Sequence, residues 1–200
     1  MHYKSTRNSK ISITSAEAIK KGLSEEGGLF VPDSIPHISN EEIFDLAKLT
    51  YRERAYTILA KFLTDFTEDE LKNCIENAYT KEKFGTENIA PVYKLDESKY
   101  ILELWHGPTC AFKDMALQIL PHLLTTSMKK TNENDEVVIL VATSGDTGKA
   151  ALEGFRDVEG TRIIVFYPDK GVSEIQKLQM ITQEGENVGV SAVLGNFDDA

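Results

Sequence analysis

Residues 137–168 read VVILVATSGDTGKAALEGFRDVEGTRIIVFYP. VVILVAT (137–143) is a continuous apolar run ending in turn chemistry, the pattern of a strand buried on both faces rather than on one. TGKAALEGF follows with helical spacing, and RIIVFYP (162–168) is a second buried-strand run. SEIQKLQMIT (173–182) then predicts a helix and VGVSAVL (188–194) a third strand. Strand and helix in alternation predict an α/β fold: a parallel sheet with flanking helices and right-handed crossovers.

Upstream the period changes. Residues 1–90 read as a small, mostly helical N-terminal domain, and 91–200 as the first part of the α/β domain. Thr14 with Glu17, Ser39 with Glu42 and Thr67 with Glu70 have capping-box spacing, each just before a helical pattern: 16–23, 41–50 and 68–79. Residues 51–62 make a further helix with Ala55, Ile58, Leu59 and Phe62 on one face. PVYKL and KYILELW, separated by DES, predict two short strands. Residues 114–129 predict a helix that Pro121 kinks near Ile119. The chain stops at GNFDDA, directly after a strand, which reads as truncation within the larger domain.

Composition narrows the function classes. Of 200 residues, 22 are Lys or Arg and 32 Asp or Glu, for a net charge of −10. That balance argues against general nucleic-acid or anionic-membrane binding, and any anionic ligand must be met by a local device. Two cysteines, Cys74 and Cys110, exclude a disulfide-dense scaffold. No apolar run approaches the ~18 residues of a membrane span, and no apolar stretch follows the basic N-terminus as in a secretory signal, so a cytoplasmic location is expected. The four histidines lack zinc-type spacing, so no metal is expected, and GxSxG is absent.

Two segments can carry chemistry. In TSGDTG (143–148), Gly145 and Gly148 allow a tight turn, Ser144 and Thr147 add hydroxyls, and the following helix presents free N–H groups at the carboxyl end of a strand. That makes an anion cradle; it matches neither GxGxxG nor the P-loop, and a plain strand-to-helix turn capped by Asp146 or Thr147 explains the same residues. In HGPTCAFKDMALQ (106–118), Lys113 stands directly before a helix, beside Phe112. A helix N-terminus and apolar surroundings both favour the neutral amine, the form that Schiff-base chemistry needs. A surface lysine with a buried stem is the plainer reading, and Asp114 has a plain role as a helix-start residue.

Together, ELWHGPTCAFKDMALQ and ATSGDTGKAA resemble the paired signatures of threonine synthase, a pyridoxal-phosphate enzyme of the tryptophan-synthase-β class (fold type II). YKSTRN, LSEEGGLFVPDSIP, YPDKGVSEIQKLQM and LGNFDDA match the same pattern, so the resemblance runs from Tyr3 to Asp199. It implies that Lys113 carries the pyridoxal 5'-phosphate cofactor and serves as base and acid. It further implies that Ser144, Gly145, Asp146 and Thr147 anchor the substrate carboxylate, and that Asp146 lies near the cofactor's 3'-oxygen. The implied reaction converts O-phospho-L-homoserine and water to L-threonine and phosphate. The family's phosphate cup comes later in the chain, and Asp198 and Asp199 set GNFDD apart from it. This portion is therefore expected to be inactive alone and to self-associate. A related phospho-lyase acting on another O-phosphorylated amino acid, and a non-catalytic interaction module, are the alternatives.

Overall fold

The structure, a computed structural model, describes residues 1–143 and 145–199. In chain order the elements are β1 (Tyr3–Ser5), β2 (Ser12–Ile13), α1 (Ser15–Lys21), β3 (Phe30–Pro32), α2 (Asn40–Leu46), α3 (Tyr51–Phe62), α4 (Glu68–Ala78) and α5 (Lys81–Phe84). There follow β4 (Val92–Lys94), β5 (Tyr100–Leu102), α6 (Asp114–Leu117), α7 (Leu120–Lys130), β6 (Val137–Ala142), α8 (Asp146–Phe155), β7 (Thr161–Pro168), α9 (Glu174–Ile181) and β8 (Val188–Val193). They group into two compact units.

The first unit comprises Met1–Tyr79 with His122–Asn134. All three expected capping boxes form, and a fourth joins Thr50 to Glu53 at the start of α3. On α4, Leu71, Cys74, Ile75 and Ala78 are buried at helical spacing against α3 and α7. Fully burying Leu71 and Ile75 contributes about 1.5–3 kcal/mol each. Most of α7 groups with this unit: Leu123, Leu124 and Met128 are buried, Cys74 Sγ lies 3.4 Å from Thr126 Oγ1, and Lys130 pairs with Glu70 at 2.9 Å. The mostly helical reading of residues 1–90 omitted the antiparallel sheet β2–β1–β3, in which Tyr3 pairs with both Ile13 and Pro32. Strands of two or three residues are too short to show a period of two.

The second unit comprises Thr80–Pro121 with Asp135 onward. Residues 80–90, read with the N-terminal part, group here, and residues 122–134 with the first unit. The helical stretch before Pro121 breaks as its ring requires, leaving α6 and α7 with Gln118 and Ile119 between them. β6, β7 and β8 form a parallel sheet in sequential order, with Val137 opposite Thr161 and Ile163 opposite Val188. α8 packs on β6 and β7 and also against α6 and α9. Ala150, Leu152, Ile163 and Val165 are wholly buried there.

The expectation that these strands are buried on both faces fails for the described residues. Val138 and Leu140, in register with Arg162 and Ile164, are 50% and 66% exposed. Apolar residues occupy both faces of β6 as they would in a doubly covered strand, but α8 covers only the face carrying Ile163 and Val165. No helix among the described residues is long and apolar enough to cross a membrane.

Candidate functional site

The loop from β6 to α8 begins at Thr143, which is buried and whose Oγ1 accepts the Gly145 N–H at 3.2 Å. Gly145 is the N-cap of α8 with φ −172°, ordinary extended backbone, and no side chain caps this helix. Neither Asp146 nor Thr147 takes the capping role expected of a plain turn. The Gly148 N–H donates to Gly145 O at 3.2 Å. The first-turn N–H groups of Asp146 and Thr147 have no intrahelical acceptor, and among the described residues no side chain caps them. Asp146 is exposed and Thr147 half-buried. Ser144 lies outside the described residues.

The glycines act here through space rather than through unusual backbone angles. A Cβ on Gly148 would overlap the Thr143 methyl and lie 3.0 Å from Val165 Cγ1 and 3.1 Å from Met180 Sδ. A Cβ on Gly145 would lie 2.8 Å from Gln176 Nε2. Gln176, in the first turn of α9, therefore overhangs the loop, and sequence reasoning did not single it out. Its signal was the capping spacing Ser173-x-x-Gln176, realised as a 3.3 Å bond from the Gln176 N–H to Ser173 Oγ.

Lys113 is the N-cap of α6, half-buried, with Nζ 4.8 Å from the Phe112 ring centroid and in no ion pair among the described residues. α6 packs against α8, and at Gly154 the absence of a side chain lets Leu117 O approach. The lysine-bearing helix and the helix of the glycine loop are thus neighbours in one unit. Asp114, read as a simple helix start, is instead fully buried. Burial pushes its carboxyl above the usual range, opposed by hydrogen bonds from Thr109. Just upstream, His106 Nε2 lies 2.7 Å from Glu103 Oε2, and the His106 ring stacks on Trp105.

The GNFDD segment supplies no open anion cradle at Asn196, whose N–H donates to Asp199 Oδ2 at 2.8 Å. Among the described residues no group of three metal-ligating side chains comes together.

These features define an α/β unit with an uncapped helix N-terminus at the end of a parallel strand and, packed against that helix, a second one led by a lysine. Residues 2–79 match the family model described as threonine synthase N terminus. The threonine synthase of Pseudomonas aeruginosa is 40% identical over 200 residues, covering all of this chain and 42% of the relative. Threonine synthase-like 1 of Pongo abelii is 41% identical over 191 residues, covering 92% of this chain and 25% of the relative. The crystal structure of threonine synthase from Brucella melitensis, with pyridoxal phosphate bound, superposes with a TM-score of 0.89 at 33% identity, covering 99% of this chain and 42% of that one. The chain is a relative of the threonine synthases, matched along its length to the N-terminal part of that family's members. It spans about two-fifths of the length of the Pseudomonas protein.

Proposed function

We propose that this chain is the cofactor-lysine portion of a threonine synthase, a pyridoxal-phosphate-dependent lyase that converts O-phospho-L-homoserine and water to L-threonine and phosphate. The observation that carries the proposal is the pairing of the HGPTCAFKDMALQ and SGDTG signatures on two helices that pack together, α6 and α8.

Pyridoxal phosphate asks a protein for an amine, donors for anionic oxygens, and a polar partner for its ring. The half-buried Lys113 amine, free of ion pairs among the described residues, fits the first. The uncapped start of α8 fits the second for a carboxylate: in a chain of net charge −10 it is a local device that attracts an anion. The 195–199 segment does not fit the cofactor phosphate at Asn196, because Asp199 already occupies that N–H. When bound, the cofactor supplies an electron sink for carbanions at the substrate's α and β carbons.

The protein's residues do the rest. Lys113 is the residue that would hold the cofactor, and its amine would take and return protons at the substrate's carbons. The Asp146 and Thr147 N–H groups, with the Thr147 and Ser144 hydroxyls and the Gly145 backbone, hold the substrate carboxylate. Asp146 is also the residue assigned to the cofactor's 3'-oxygen. A cytoplasmic location accords with this biosynthetic role.

A second reading, a phospho-lyase for another O-phosphorylated amino acid, rests on the 41% identity to threonine synthase-like 1. Assaying the full-length protein with O-phospho-L-homoserine separates the two. Threonine and phosphate in equal amounts support the first reading. Phosphate released only from a different phosphorylated amino acid supports the second.

A further inference from the structure

The loop that delivers Lys113 is closed by the residue after it. Asp114 is fully buried, and its two carboxylate oxygens accept the Thr109 N–H at 2.9 Å and the Thr109 Oγ1 hydroxyl at 2.7 Å. Its own N–H donates to Ala111 O at 3.0 Å. Gly107 lies against the same carboxylate, and a Cβ there would overlap it. The Cys110 N–H closes onto Gly107 O at 3.0 Å, with Cys110 at φ 59°, a left-handed conformation that few non-glycine residues adopt. Residues 107–113 are thus folded around one carboxylate.

A helix start does not require this arrangement. A first-turn aspartate interacts favourably with a helix dipole from the surface, without the cost of burial. The four-residue α6 is also too short to hold its own N-cap firmly. What the burial of Asp114 accomplishes is a fixed path for the backbone that ends at Lys113. We infer that Asp114 is a positioning residue, holding the 107–113 loop so that the Lys113 amine is presented in one place; this rests on the cofactor role of Lys113 given above. The carboxylate is fully buried and bonded to Thr109, so the role inferred for it is exerted through the loop.

The test uses the full-length protein with three substitutions. Asp114→Asn keeps the shape but sets an NH2 against one of the Thr109 donors. Thr109→Val removes the hydroxyl and keeps the N–H. Thr109→Ser keeps both donors. Two quantities are read: amide hydrogen exchange across 108–113 without cofactor, and the rate at which pyridoxal phosphate becomes borohydride-trapped on Lys113. In Asp114→Asn, exchange should be about tenfold or more faster and trapping about tenfold or more slower, as expected for losing a hydrogen bond to a charged group. Thr109→Val should fall between, and Thr109→Ser should match the unaltered protein. If Asp114→Asn fails to fold, Thr109→Val decides. Faster exchange with trapping unchanged, in variants that keep a cooperative melting transition, would confine Asp114 to a structural role and overturn the inference. If the unaltered protein traps nothing on Lys113, the cofactor reading fails instead. Exchange then reports only whether Asp114 holds the loop, and the positioning role falls with its object.

Discussion

Gly148→Ala separates two explanations of the glycine loop. If Gly148 were there only for backbone freedom, alanine would stabilise α8 by about 0.8–1 kcal/mol, since Gly148 lies inside a helix and has no positive φ. The structure opposes that gain with overlap. The new methyl would strike the Thr143 methyl, on a β-branched side chain whose Oγ1 is already bonded to the Gly145 N–H. It would also press on Val165, fully buried in the central strand. Only Met180 Sδ, on a flexible side chain, can yield. Overpacking of this kind costs about 1–3 kcal/mol, and two stiff neighbours place it near the upper end. The net loss is then about 2 kcal/mol, a fall in melting temperature of roughly 4–8 °C at this chain length. Thermal unfolding followed by circular dichroism measures it. Adding Thr143→Ala should recover part of the loss, giving a coupling above about 0.5 kcal/mol. Stabilisation by Gly148→Ala alone would refute the close-packing argument.

Replacing Thr147 or Ser144 by Ala in the full-length protein should raise KM or lower kcat by about 10- to 150-fold while Lys113 remains trappable by borohydride; unchanged kinetics in both would reduce the loop to a turn. The glutamates of the four capping boxes, Glu17, Glu42, Glu53 and Glu70, are all held below the usual carboxylate range, Glu42 at about 2 through its bond to Lys61. Depressed values mean that their stabilisation is present above about pH 4.5 and is lost as pH falls below it, for Glu42 on approach to about 2, so the first unit should lose helix content on acidification below about pH 4.5. Gln at these four positions should flatten the profile, and an equally steep profile in that variant would exclude the boxes as its cause. The 200-residue chain, with Val138 and Leu140 exposed on one sheet face, should self-associate, and Val138→Lys with Leu140→Lys should shift it to monomer in sedimentation velocity. A monomeric unaltered chain would contradict this.

The parallel unit was legible because β6 and β7 each hold six consecutive apolar residues, VVILVA and IIVFYP, and α9 carries its own start signal at Ser173. The break near Ile119 was legible because a proline ring forbids one specific hydrogen bond. The β2–β1–β3 sheet was not, since no strand in it reaches four residues. The open sheet face was equally hidden, because Val138 and Leu140 look the same whether or not something covers them. At the candidate site, Lys113 and the glycine loop stood out as residue types in unusual places. The burial of Asp114 did not, because it depends on Thr109 donating twice and on Gly107 leaving room, which no single residue announces. Gln176 was missed for a similar reason: its capping spacing explains it locally, and only the fold brings it over Gly145.

The central claim is that Lys113 carries the cofactor. Full-length protein incubated with pyridoxal phosphate, reduced with borohydride and digested should yield one modified peptide, with the added mass on Lys113, and Lys113→Ala should yield none. A modified peptide centred on any other lysine, or an undiminished adduct in Lys113→Ala, would contradict the account.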